Sequence, residues 1–275
     1  MADTLLHLTL ARHFTEQASI SPGIKTLATR HMDDYLIGSI AVDLPYYDTL
    51  LYTGIQTLRH RPIVYHPFGQ RIHEHHCRDT CARALQQANN DPSRAFALGL
   101  LTHFAVDIVF HREIERRVHN AGISHDQLER QIGLRCHHEL LGHSGVGTAY
   151  ALQSAMLFPD PNWREVFSSI LAGIYRDAPT PLVLKKWQRS FRSFGLLYSK
   201  PWFPWLTVET AMNPALDVLS VDLIAETTDK AVSFLLAAQS FISGQSSIAS
   251  FREFLPALRM SDGLPEQTEI PVSAL

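Results

Sequence analysis

The sequence predicts an all-α protein, a multi-helix bundle, and three observations carry that prediction. Apolar residues recur at helical spacing along nearly the whole of the 275 residues. The helix-start dipeptides Asp91-Pro92 and Asp160-Pro161 stand directly before such stretches. Strand signals are sparse, since the β-branched run Ile63-Val64-Tyr65 is short and follows Pro62.

Each element follows in chain order. Residues 4–16 carry Leu5, Leu6, Leu8, Leu10 and Phe14 and read as a short helix. Asp43 stands at a helix exit, two residues before Pro45, and residues 41–66 read as the longest irregular stretch. Asp91 as N-cap and Pro92 at the first helical position open a helix over 93–118. A loop over 120–124 contains Gly122, and Ser124 with Gln127 matches a capping box opening the next helix. Further helices are expected over 162–175, 182–197, 214–219, 223–243 and 247–258. Residues 1–260 are expected to form a single domain. Residues 261–275, with two prolines and no period, are expected to form a loose tail.

Composition narrows the function classes. Apolar residues at 45% and charged residues at 19% exclude wholesale disorder. Lys+Arg 24 against Asp+Glu 27 argues against a general nucleic-acid-binding surface. The longest apolar stretch, 95–110, is interrupted by Thr102, His103 and Asp107, so no transmembrane segment is expected. No secretory signal is visible, and three cysteines are too few for a disulfide framework, so a cytoplasmic location is expected. The unusual number is 15 histidines, most of them between His60 and His143. Histidine is the commonest metal ligand and the usual acid/base group near neutral pH.

His103, Asp107 and His111 lie at i, i+4 and i+8 on one helix face, drifting only about 40° per step. Their neighbours are almost all apolar, so the face is expected to be buried. A buried carboxylate between two imidazoles costs several kcal/mol unless it is paired or metal-bound. A satisfied polar layer and a metal site both answer that cost. Neutral imidazole and ionised carboxylate are what Zn²⁺ takes. His125 and Glu129 repeat the i, i+4 spacing on the following helix. Packed antiparallel, that helix can face His111, giving three ligands with an open position. Asp43, His66 (between Tyr65 and Pro67) and His7 on the first helix are further candidates.

His103-x3-Asp107, then His111, then thirteen residues to His125-x3-Glu129, resembles the zinc-dependent phospholipase C family and the related S1/P1-type nucleases. Gly38-Ser-Ile-Ala-Val-Asp43 is similar to that family's Gly-x-Ile-Ala-Pro-Asp segment, with Val42 in place of proline. Tyr65-His66-Pro67 falls where the family has its next His. The resemblance covers residues 7 to about 139. It implies an all-α fold and a multinuclear zinc cluster. One zinc would take Asp43, His66, His103 and Asp107, and a second His111, His125 and Glu129. A third would share Asp107 and add an N-terminal His, with His7 or alternatively His13 in that role. The family's third site also uses an N-terminal Trp. This sequence begins Met1-Ala2, so two or three zinc ions are expected.

The implied reaction is phosphodiester hydrolysis, with Asp43 orienting or deprotonating the attacking water. A phospholipid is the leading substrate. Tyr198, Trp202, Phe203 and Trp205 offer either loop packing or transient membrane-surface contact. Two rival readings are an S1/P1-like nuclease on the same metals and a non-catalytic helical binding protein stabilised by metal. His73, His76, Cys77 and Cys81 can share a helix face, but thiolates do not suit a hydrolytic N/O cluster, so no second metal site is expected there. His137 and Glu139 are expected beside the ligands or at the surface rather than among them. The HD dipeptide His125-Asp126 lacks the other ligands of an HD-domain phosphohydrolase.

Overall fold

The computed structural model describes residues 4–48, 66–121, 125–141, 157–198 and 221–266. Among them are eleven α-helices, one 3₁₀ turn and no strand beyond a single antiparallel bridge between Leu258 and Pro265. In order, α1 is Thr4–Glu16, α2 Pro22–Arg30 and α3 Met32–Gly38, followed by the 3₁₀ turn Leu44–Tyr47. Then come α4 Pro67–Glu74, α5 Cys77–Gln87, α6 Asp91–Ala121 and α7 His125–Leu141. The remainder is α8 Trp163–Ala172, α9 Pro181–Tyr198, α10 Val221–Ile242 and α11 Ile248–Phe254. The fold is all-α, as expected. The helix expected over 214–219 lies outside the described residues.

Local chemistry explains several of the helix starts. Ser21 caps α2 by accepting from Ile24 N, with Pro22 in the first turn, and Ser247 caps α11 by accepting from Ser250 N. At α6 the cap is Asn90 rather than Asp91. Asn90 Oδ1 accepts from Ser93 N at 2.9 Å, and Ser93 Oγ accepts from Asn90 N at 3.2 Å. Pro92 sits inside the first turn, where no intrahelical N–H is needed.

Helix α6 is the axis of the molecule. Helices α3, α10, α5 and α1 pack along it, and α7 packs on α1. Its most apolar window, within residues 91–118, would be long enough for a bilayer, but 94% of that window is buried inside the fold. It is the core helix, and its apolar residues share one buried cluster with Phe14, Tyr35, Leu36, Phe167, Phe234 and Phe251. Each fully buried side chain of this kind contributes about 1.5–3 kcal/mol.

Two glycines set the closest crossing. A Cβ on Gly99 of α6 would lie 1.9 Å from the Tyr35 carbonyl oxygen of α3. A Cβ on Gly38 of α3 would lie 2.1 Å from the Phe96 carbonyl oxygen of α6. Only hydrogen at both positions lets the two backbones touch, and this draws the residues after α3, ending in Asp43, onto the middle of α6.

Residues 261–266, expected to begin a loose tail, form part of an ordered turn. Arg259 N donates to Leu264 O, Gly263 N to Arg259 O and Glu266 N to Ala257 O. Residues 267–275 lie outside the described residues.

Candidate metal centre

The crossing of α1, α3 and α6 buries four charged or titratable side chains at one point. His7, Asp43, His103 and Asp107 are each at most 1% exposed. Asp107 stands in the middle, and its two oxygens look in different directions. Oδ2 is 2.8 Å from His103 Nε2 and 3.8 Å from His73 Nε2. Oδ1 is 3.2 Å from His7 Nε2 and 3.8 Å from His111 Nε2. Asp43 faces the same space, with Oδ1 3.2 Å from His73 Nε2 and Oδ2 3.8 Å from His7 Nε2. His7 and His103 stack with ring centroids 3.9 Å apart.

A second group adjoins along α6. His111 Nε2 is 3.3 Å from Glu129 Oε1, and His125 Nε2 is 3.8 Å from Glu129 Oε2. The His111 and His125 rings are 5.1 Å apart. Helix α7 thus does bring its His-x3-Glu pair against the last His of the α6 stripe. His125 is 23% exposed, whereas Glu129 is 1% exposed, so this group reaches the outside of the centre.

Three sets of side chains have donor atoms close enough to share an ion. They are His7, His103 and Asp107; Asp43, His73 and His103; and His111, His125 and Glu129. Seven of the eight residues predicted from the sequence fall in these sets. His66 does not. It forms the N-cap of α4, where its Nδ1 accepts from Gly69 N at 3.4 Å. Its Nε2 lies 3.7 Å from Asp48, and its ring packs edge-on against Trp187. His73, two turns further along α4, faces Asp43 and Asp107 instead. The reason is helical geometry: Pro67 starts a helix whose buried stripe is Phe68, Gly69, Ile72 and His73, and His66 lies at its mouth. Sequence reasoning missed His73, and this buried stripe is the signal that could have found it. The alternative N-terminal candidate, His13, pairs with Gln17 through Nε2 at 2.9 Å, on the part of α1 away from the centre.

The imidazoles are aimed by backbone carbonyls. His103 Nδ1 donates to Ser39 O at 2.8 Å, His73 Nδ1 to Gly69 O at 2.7 Å and His111 Nδ1 to Met260 O at 2.6 Å. A carbonyl can only accept, so each Nδ1 carries a proton. In the neutral ring, each Nε2 is then a lone pair pointing at a carboxylate. Such an array is repulsive unless positive charge lies between the groups, as protons on the rings or as a cation. Asp43 Oδ2, both Asp107 oxygens, His103 Nε2 and His7 Nδ1 are buried without an aligned hydrogen bond among the described residues. Neutral imidazoles fixed by carbonyls, together with ionised carboxylates, are the donor set that Zn²⁺ takes. The residues fit the metal.

The same demand for positive charge appears in the titration of the metal-free groups. Burial works against a charge on His103, but Asp107 and Asp43 outweigh it and hold the ring up to about 9. Burial likewise opposes His111, and Asp107 with Glu129 lifts it to about 10. Burial would raise Glu129, yet the hydrogen bond and charge of His111 bring it down to about 2. Asp107, despite its burial, is held well below the usual carboxylate range by His103, His111 and His7.

The neighbouring signals have other roles. Cys77 Sγ lies 3.3 Å from His73 O and Cys81 Sγ 4.0 Å from Leu100 O, burial pushes both thiols up, and neither falls in a donor set among the described residues. His137 Nδ1 lies 3.2 Å from Thr9 Oγ1, and Glu139 pairs with Arg135. Arg112 pairs with Glu226, and Arg116 and Arg117 pair with Glu113. Trp202, Phe203 and Trp205 lie outside the described residues.

No curated protein and no solved structure matches the chain. A family model described as zinc dependent phospholipase C matches residues 6–148, just over half of the chain. That span holds every side chain of the three donor sets, from His7 on α1 to Glu129 on α7. The chain therefore belongs to the zinc-dependent phospholipase C family.

Proposed function

We propose that the protein is a zinc-dependent phosphodiester hydrolase acting on phospholipid, with two or three zinc ions held around Asp107. The observation that carries this reading is the placing of Asp107, whose two oxygens face two different groups of imidazoles. Asp43, His73, His103 and Asp107 would hold one ion, and His111, His125 and Glu129 a second. A third would share the Asp107 carboxylate and take His7. Zinc at such a site supplies Lewis-acid polarisation of a phosphoryl oxygen and a lower pKa for water.

The chain's own residues do the rest. The carbonyls of Ser39, Gly69 and Met260 hold the imidazole planes in place, so little reorganisation accompanies reaction. Asp43 Oδ2, buried and without a hydrogen bond among the described residues, is the group we assign to orient water and take its proton. The apolar flanks of α6 exclude bulk water from the inner groups. The graded exposure, from Asp43 inside to His125 outside, favours approach of the phosphodiester from the His125 side.

The test combines metal analysis with a substrate panel. Untagged protein should carry two or three zinc ions per chain, falling sharply in Asp107→Ala. It should release phosphorylated headgroup from phospholipid vesicles, and chelator should stop the release while the helical circular dichroism persists. Cleavage of single-stranded nucleic acid without phospholipid hydrolysis would replace this reading with a nuclease. Bound zinc with neither activity would leave a metal-stabilised binding protein, and absence of zinc would end the metal reading.

A further inference from the structure

The family match ends at residue 148, yet a contact that aims one of the candidate ligands comes from residue 260. We infer that the C-terminal turn, residues 257–266, is a positioning element of the metal centre, joining its two donor groups through a single residue, Met260. This inference rests on the metal reading above and names a part of the chain that supports it.

The contacts run through the backbone. Met260 O accepts from His111 Nδ1 at 2.6 Å, on the side of the second donor group. Met260 N donates to His73 O at 2.7 Å, and Ser261 N reaches the same carbonyl at 3.2 Å, on the side of the first. His73 lies in the last turn of α4, where carbonyls lack intrahelical donors, so the turn satisfies a helix end as well as holding a ligand. Glu266 then accepts from Cys77 N at 2.8 Å, in the first turn of α5, where N–H groups lack intrahelical acceptors. One short segment thus grips His111 on α6, the end of α4 and the start of α5. Met260 is itself fully buried.

The turn is built to keep that register. Gly263 has φ +66°, and a Cβ there would lie 2.6 Å from the Ile108 carbonyl oxygen of α6. Both facts require glycine. Asp262 ties the loop by pairing with Arg259 and accepting from Leu264 N at 3.0 Å. A side chain at 263 would lift the turn away from α6 next to Asp107, lengthening the bond from His111 to Met260 O. Groups that orient a metal-binding His are typically worth roughly 10–100-fold in metal affinity.

Gly244 provides the control. It also has positive φ, at +74°, but a Cβ there meets nothing within 4 Å. Gly263→Ala, Asp262→Ala and Gly244→Ala should be purified at full length and matched for helical circular dichroism. Zinc affinity is then read by competition with a chromophoric chelator, and ligand geometry by the visible spectrum of the Co²⁺-substituted protein. The expected result is a roughly 10–100-fold weaker affinity and an altered Co²⁺ spectrum in Gly263→Ala, with Gly244→Ala unchanged. If Gly263→Ala does not reach native helicity, Asp262→Ala carries the test and should move in the same direction. Affinity and spectrum equal to wild type in the variants at 262 and 263 would overturn the inference while leaving the metal reading intact. Wild-type protein that binds no zinc would overturn both.

Discussion

Gly99→Ala tests the packing that assembles the centre. On an ordinary helix this change is stabilising, by about 1 kcal/mol. Here the added Cβ would lie 1.9 Å from Tyr35 O and 2.8 Å from Ser39 N, both of them backbone. Real Cβ contacts stay beyond 3.0 Å, so α3 has to retreat by at least about 1.1 Å. Ser39 moves with it, and its carbonyl now holds His103 Nδ1 at only 2.8 Å. Asp43, a turn further on, is drawn away from Asp107. Overpacking against groups that cannot rotate aside costs about 3 kcal/mol, so the net loss after the helix gain is about 2 kcal/mol. In a chain of this size that lowers the Tm by roughly 4–8 °C. Melting followed by circular dichroism, with and without zinc, measures it. Gly23→Ala is the control, since its Cβ meets nothing nearer than Gln239 Nε2 at 3.7 Å. A Gly99→Ala protein that melts at or above wild type and binds zinc as tightly would refute the claim that the α3–α6 crossing positions the ligands.

His73→Ala should lose roughly one zinc ion per chain. His66→Ala should keep them all and lose only about 0.5–2 kcal/mol as a missing helix cap; elemental analysis of the two variants giving the reverse pattern would return His66 to the ligand set. Asp43→Asn should lose hydrolytic rate more steeply than it loses metal, and equal losses would leave Asp43 a plain ligand without a proton-transfer role. In the metal-stripped chain His103 and His111 hold their protons up to about 9 and about 10, against 6.5 when unfolded. A raised folded pKa stabilises fully below 6.5 and ceases to do so as pH rises through 9 and 10. The stripped protein should therefore lose Tm steadily across that window and the zinc-loaded protein much less. A stripped protein that gains stability there would contradict the pairing of these rings with Asp107 and Glu129.

The parts of the centre that a single helix specifies were legible in the sequence. His103, Asp107 and His111 share a face because of the helical repeat alone, and His125 and Glu129 repeat that relation one helix later. The i, i+4 rule requires no knowledge of what packs where. His66, which falls outside the three donor sets, shows the limit of a motif read without its local structure. Tyr65-His66-Pro67 sat at a plausible chain position, but Pro67 marks the first turn of a helix, as Pro92 does. A His just before such a proline is a cap, and its ring is engaged at the helix mouth. Carrying the helix two turns forward reaches His73, whose side chain joins Phe68 and Ile72 on the buried stripe. The cysteines beside it drew attention to sulfur, when the imidazole is the group that faces Asp43 and Asp107.

What periodicity could not show is which faces meet. Asp43 reaches His103 because Gly38 and Gly99 let two backbones approach, and His111 is aimed by a carbonyl 149 residues away in sequence. Neither glycine carries any chemistry. Gly99 breaks an otherwise apolar, strongly helical run, however, and a glycine that costs a helix about 1 kcal/mol is a sign of close approach. Gly263 has the same meaning in the turn, where its left-handed φ and its contact with Ile108 O coincide. Most of the side chains able to hold metal therefore lie on helices whose repeat places them on one face, with Asp43 on the turn after α3. The distances between those side chains depend on glycines and carbonyls that a search for ligands passes over, and substitutions there should disturb metal binding while leaving every candidate ligand in place.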